Sequence, residues 1–267
     1  MSSRCRISVI FGMLFLLAGP VSARTVTFCA EPDNLPFSNQ DGTGFEIEIA
    51  RVVTKALGAD PAFIWISSRN MHGFLRKTLG RGMCDAIVGM PVGVEGVAET
   101  RPYYRTGWMF VSRSDGTRAI HSFDDLTLRE FTVAVPEAGD GFDTAPAIAL
   151  ARRGLTAKLR LFPVNGPADA PDRATRMLDA VLAGNVDLAV AWGPVAGWYA
   201  ARHPGLTLVP TPTRDGLGVA FTQAIAIAVP PRNLALRDAL DEALDRERAA
   251  VRRILLAWHV PVLENTP

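Results

Sequence analysis

Cys29-Ala-Glu-Pro-Asp-Asn-Leu-Pro-Phe-Ser-Asn39, followed closely by Asp41-Gly-Thr-Gly-Phe-Glu46, decides how this chain folds. The β-rich segment Thr25–Cys29 runs into it, two prolines forbid helix within it, and a Gly-flanked turn closes it. Beyond it Phe45, Ile49, Val52, Val53 and Ala56 recur at helical spacing, with Gly58 placed to stop the helix. Strand, rigid loop and helix are how an α/β protein raises a loop above the carboxyl ends of its strands, where ligands and partners dock. The loop does not suit phosphate. Its prolines replace a run of free N–H groups, and it lacks G-x-G-x-x-G.

Working outward, Ala62–Ile66 alternates as a strand, and Phe74, Leu75, Thr78 and Leu79 mark a short helix closed by Gly80. Asp85-Ala-Ile-Val-Gly89 reads as a buried parallel strand, which completes β-α-β-α-β with right-handed crossovers. Tyr103–Ser112 is extended and ends in the turn Ser114-Asp-Gly-Thr117. A second unit then repeats the plan: strand Phe131–Val135, helix Ala145–Arg153 stopped by Gly154, and strand Leu159–Val164. A helix burying Met177, Leu178, Val181 and Leu182 ends at Gly184, and strand Val186–Ala191 precedes a helix carrying Trp198 and Tyr199. Phe221–Val229 is a last extended segment. After Pro230-Pro231 one long helix carries Leu236, Leu240, Leu244, Val251, Ile254, Leu255 and Trp258 inward, with Arg237, Asp241, Glu242, Asp245 and Arg246 on its solvated face.

The pattern predicts an α/β fold of two α/β lobes with a hinge and a cleft between them. Residues 24–113 with 214–267 are expected to form lobe 1 and residues 114–213 lobe 2. The chain should cross between them near Ser112 and Thr213, and the cleft is where function is expected.

Residues 1–23 read as a cleavable export signal. Arg4 and Arg6 precede the apolar run Ile7–Leu17, and Val21-Ser-Ala23 is a small-residue cleavage site. Removal leaves 244 residues and takes away two of 28 basic side chains against 27 acids, so the mature chain carries a net charge of −1. No Lys/Arg block is present, and nucleic acid or an anionic membrane is not an expected partner. A periplasmic location follows from the signal.

Cys5 leaves with the signal. Cys29 and Cys84 then form either one disulfide or two buried thiols; a bond requires strands staggered so that the Cα atoms approach within about 7 Å. No C-x-x-C occurs and His72, His121, His203 and His259 are scattered, so neither metal nor redox cofactor is expected.

Several motifs resemble a known family. Gly44-Phe-Glu46, Gly82-x-Cys-Asp85, Pro102-Tyr-Tyr104, Phe123-Asp-Asp-Leu126 and Gly184-x-x-Asp187 are similar to periplasmic solute-binding proteins of the amino-acid-receptor type. More narrowly, Cys29-Ala-x-Pro-x-Asn-Leu-Pro-Phe-Ser-Asn39, Thr100-Arg-Pro-Tyr-Tyr-Arg105, Ala149-Leu-Ala-Arg-Arg-Gly154 and Trp192-Gly-Pro-x-Ala-Gly197 resemble the MxaJ/XoxJ family. That resemblance implies a type II periplasmic-binding-protein-like fold and a non-catalytic component associated with a periplasmic PQQ-dependent methanol dehydrogenase, supporting its assembly, activation or electron transfer. Its implied partners are that dehydrogenase and its cytochrome c. Ordinary amino-acid receptors carry an arginine after the third strand for the ligand carboxylate and an aspartate at the end of the second lobe's last parallel strand for the ammonium. Here Met90-Pro-Val-Gly-Val-Glu-Gly-Val-Ala98 holds no arginine and Trp192 stands at the aspartate's place. Each lost charge-assisted hydrogen bond is worth about 1.5–3 kcal/mol.

The candidate cleft residues are Asn34, Leu35 and Phe37 on the opening loop, Tyr104, Trp108 and Trp192 as an apolar lining, and Arg101 and Arg105 as grips for an acidic partner or a carboxylate. For the aromatics the alternative is interior packing, and for the arginines an ion pair with Glu99 or Asp85. Trp65 and Trp258 read as packing. Glu31, Asp33 and Glu95 are the acids an enzyme on this scaffold would use, but no nucleophile–base pairing is visible and no enzymatic activity is expected. Gly139-Asp-Gly-Phe-Asp-Thr144 suits a helix cap through Asp143 or Thr144 as well as an anion site. A transport receptor for a small apolar, non-amino-acid solute is the competing reading.

Overall fold

The computed structural model describes residues 24–67, 71–115, 119–138, 143–164 and 175–263. The export signal, Arg69 and the stretch 139–142 lie outside the described residues, as does the side chain of His72. No helix among the described residues is long and apolar enough to cross a membrane.

β1 (Arg24–Ala30) leads through the tiny hairpin of β2 (Asp33–Asn34) and β3 (Ser38–Asn39) into α1 (Phe45–Ala56), and β4 (Ala59–Trp65) returns parallel to β1 in full register. The proline-rich loop starts α1 physically: the carbonyl of Pro36 accepts from the N–H of Phe45 and that of Phe37 from Glu46. Those donors are thereby used up. The turn requires Gly44, whose φ is +116° and where a Cβ would stand 2.3 Å from the carbonyl oxygen of Phe37. Phe45, Ile49 and Val53 are fully buried, as their spacing predicts.

α2 (Met71–Lys77) continues as a 3₁₀ turn over Leu79–Arg81, so the stop falls at the left-handed Gly82, not at Gly80. β5 (Ile87–Pro91) and β6 (Ala98–Glu99) follow. The expected parallel pairing at this strand is confined to one bridge to β1. β5 lies antiparallel to the late strand at 222–229 and meets β1 through a parallel bridge between Phe28 and Ala86. That stagger brings Cys29 and Cys84 to a Cα separation of 5.6 Å, and they are disulfide-bonded. Phe74, Leu75, Leu79, Ile87 and Met90 pack around the bond.

β7 (Tyr104–Arg113) joins both halves of the molecule. Then come β8 (Val133–Glu137), α3 (Ala145–Ala151), β9 (Leu159–Pro163), α4 (Arg176–Leu182), β10 (Leu188–Trp192), α5 (Gly193–Ala200), β11 (Leu206–Pro210), β12 (Thr222–Val229), α6 (Leu234–Arg246) and α7 (Arg248–Ala257). β8, β9 and β10 are parallel neighbours, so the second unit repeats the first in architecture. Both units share one staple. The Asp85 carboxylate accepts from the N–H of Thr27 at 2.8 Å, and the Asp187 carboxylate accepts from that of Thr132 at 2.8 Å.

The main sheet runs β5-β12-β7-β10-β8-β9. Within β7 the partner changes: Tyr104–Gly107 pair with β12, while Trp108–Ser112 pair with β10 and Met109–Arg113 with β11. Cores lie to either side of this exchange, one around Phe28, Phe45, Ile225 and Leu240, others around Phe123, Leu150 and Leu188 and under α4 and α5. Sequence reading missed β11, and it joined α6 and α7 into one helix. Glu247, at φ −99° and ψ 12°, interrupts them. Leu240 and Leu255 still reach the same core.

Candidate functional site

A cavity of about 420 Å³ lies between the two halves. The opening loop supplies one wall. Its N–H of Phe37 bonds the carbonyl of Asn34 at 2.9 Å, the Leu35–Pro36 peptide is cis, and the Phe37 ring lies 5.3 Å from Phe45. Glu31, Asp33, Asn34, Leu35 and Phe37 are thereby presented to the cavity.

The opposite wall is built by strand register. β7 and β10 pair so that Trp108 lies directly across from Trp192, and the rings meet at 5.3 Å and 67°. Edge-to-face geometry of this kind stabilises an aromatic pair beyond its buried area. Trp198, Met177 and Val195 extend the apolar surface, and Gln223 of β12 reaches in from the other side. An Arg202 guanidinium covers the Trp198 ring at 4.5 Å. The hydroxyl of Thr144, also at the cavity, donates to the carbonyl of Pro136 at 2.8 Å. It makes no cap bond to α3, and Asp143 instead accepts from the N–H of Ala138.

Five sequence-selected residues, Asn34, Leu35, Phe37, Trp108 and Trp192, therefore converge on one cavity. Arg101, Tyr104 and Arg105 line a different hollow of about 320 Å³, shared with α6, α7, Val262 and Leu263. Tyr104 is buried against Phe45. Arg101 pairs with Asp245, and its backbone N–H donates to Asp241 at 2.7 Å. The expected partners are otherwise engaged: Glu99 accepts from the N–H groups of Gly93 and Val94, and Asp85 from Thr27. Trp65 stacks on Phe63, and Trp258 donates its indole N–H to Glu48.

Sequence reading missed Trp198, Met177 and Gln223 at the cavity, and it missed Glu46. Glu46 is partly buried, and its carboxyl presses on Gly89. Burial first, and then the charge of Glu31, pushes it up to about 8. The Tyr104 phenol is held well above its ordinary range by burial and then by Glu46. Among the described residues at the cavity, the charged side chains are Glu31 and Asp33, and no lysine, arginine or histidine lines it. The described lining holds no guanidinium fork for a carboxylate. It offers aromatic faces, amide and hydroxyl groups, and negative charge.

No protein-family model matches the chain. It is 28% identical over 254 residues to protein MoxJ of Methylorubrum extorquens, which covers 92% of this chain and 84% of that one. To protein MoxJ of Paracoccus denitrificans it is 27% identical over 271 aligned positions, 94% of each. In structure it is similar to MxaJ from Methlophaga aminisulfidivorans (TM-score 0.79, 22% identity, 89% of this chain and all of that one). It is also similar to the periplasmic binding protein XoxJ from Methylobacterium extorquens (0.73, 24%, 90% of this chain and all of that one). The substrate-binding protein of an amino-acid ABC transporter follows at 0.59, with 21% identity over 88% of this chain and 98% of that one.

Two α/β halves joined through a shared strand, with a cavity between them, define a periplasmic-binding-protein-like fold of type II. Within that class the chain is similar to the MoxJ proteins over nearly its whole length.

Proposed function

We propose that this chain is a periplasmic accessory protein of a PQQ-dependent methanol or alcohol dehydrogenase, supporting the assembly, activation or electron transfer of that enzyme, and is not itself an enzyme. The relatedness to MoxJ, MxaJ and XoxJ proteins supports the association. The observation that carries the departure from amino-acid transport is Trp192 paired with Trp108 where a receptor would need an acid, in a cavity whose described lining holds no basic side chain. The proposal includes export with cleavage after Ala23. It takes lobe 1 as residues 24–113 with 214–267 and lobe 2 as 114–213, with β7 serving both. The dehydrogenase and its cytochrome c are the proposed partners.

The test is genetic and biochemical together. Deleting the reading frame should abolish or strongly reduce periplasmic dehydrogenase activity in cells grown on the alcohol, and the exported chain supplied in trans should restore it. Wild-type activity in the deletion strain, with no copurification of the dehydrogenase under any growth condition, overturns the reading.

The second reading is a receptor for a small apolar solute that is not an amino acid. The cavity favours it, because about 420 Å³ falls within the range of small-molecule sites. A solute screen by thermal shift decides: one compound stabilising the chain at micromolar concentration supports it, and a silent screen removes it.

A further inference from the structure

We infer that the interlobe cavity binds a small organic cation, an alkyl- or quaternary ammonium compound without a carboxylate. The inference goes beyond the accessory role and rests on the cavity alone. Three observations meet there. Trp108 and Trp192 stand at 67° to one another, two aromatic walls of one corner. Trp198 adds a third indole to the lining, and its ring already attracts a guanidinium, that of Arg202 at 4.5 Å. Aromatic faces attract cations through the ring quadrupole, and tryptophan does so best, most strongly when water is excluded.

The second observation is charge. Glu31 and Asp33 are the charged side chains among the described lining residues, and the carboxyl of Glu46 stands behind Glu31 as its electrostatic neighbour. A cation entering this corner would meet indole faces on one wall and carboxylates on the other. A carboxylate-bearing ligand would meet repulsion from Glu31 and Asp33 with no arginine among the described lining residues to hold it. The third is space: about 420 Å³ accommodates a compact cation together with a short polar arm. Asn34, Gln223 and Thr144 are the groups at hand to orient such an arm.

The experiment titrates the purified, processed chain by calorimetry with three probes: choline, its neutral tert-butyl analogue in which carbon replaces nitrogen, and glycine betaine. Choline should bind, and the neutral analogue and betaine should each bind at least roughly tenfold more weakly. Trp192→Leu, which keeps the apolar bulk, and Asp33→Asn should each weaken choline by roughly fivefold or more. Circular dichroism and a melting curve establish that each variant is folded. Should Trp192→Leu fail to fold, Asp33→Asn and the analogue pair decide alone. Absence of choline binding, equal binding of the neutral analogue, or equal binding of betaine each overturns the inference. The measurement uses no dehydrogenase, so either result leaves the accessory role to be judged by its own deletion test.

Discussion

The carboxyl of Glu46 rests on the backbone of Gly89 so closely that a Cβ at Gly89 would lie 1.7 Å from Oε1. Gly89 has φ +81°, a conformation that glycine adopts freely and other residues at a cost. The contact joins the first turn of α1 to β5, directly behind the acidic lip of the cavity.

Glu46 should make stability fall as pH rises. Its ordinary value is 4.5 and its folded value about 8, so between these limits the folded chain binds more protons than the unfolded one. Below the lower limit both states are protonated and the group is neutral to stability. Across the window each pH unit costs about 1.4 kcal/mol, levelling off once the folded group ionises. The groups that face it are Glu31, Tyr103 and Tyr104. Denaturant melts of Glu46→Gln should lose this slope and exceed wild type in stability above neutral pH. An unchanged slope would refute the assignment.

Gly89→Ala should cost about 1–2 kcal/mol from the backbone alone. The Cβ would also force the Glu46 carboxyl out of its seat, so the variant should show the flattened pH profile of Glu46→Gln. A variant as stable as wild type with the original pH profile would show that the contact does not hold in solution.

Cys29 and Cys84 close a loop 55 residues apart in sequence. Replacing both with serine should lower stability by about 2–4 kcal/mol. Melting temperatures of wild type with and without reductant, beside the double variant, measure it. Coincidence of all three curves is the result that contradicts this.

Two arginines should respond unequally to truncation. The side chain of Arg153 is 11% exposed and that of its partner Asp215 only 2%, at 2.8 Å, whereas the side chain of Arg101 beside Asp245 is 65% exposed. Arg153→Ala takes the cation from a buried carboxylate that keeps the N–H groups of Leu217 and Val219, and should cost about 3 kcal/mol. Arg101→Ala breaks a solvent-screened pair and should leave the denaturation midpoint nearly unchanged. Equal losses in chemical denaturation would mean that burial does not rank these pairs.

Much of this molecule is written locally. The prolines and glycines between Pro32 and Gly44 dictate a rigid turn, so Asn34, Leu35 and Phe37 were identifiable as cavity residues before any coordinates. Periodicity placed α1, α4, β1, β4, β8, β9 and β10, because burying one face needs apolar residues at a fixed repeat. The ion-pair partner of Arg101 was not legible, because Asp245 lies 144 residues away and no local rule connects them.

Chain order and patterning alone determined a two-unit α/β fold with its opening loop beside the cavity, since those features depend on neighbours a few residues apart. The tertiary structure alone decided that Trp108 faces Trp192, that β7 exchanges partners after Gly107, that Glu46 is enclosed against Gly89, and that the arginines open onto another hollow. Each is a pairing across long sequence separations. Strand register and burial are set there by the free energy of the whole packed core, to which no single segment holds the key.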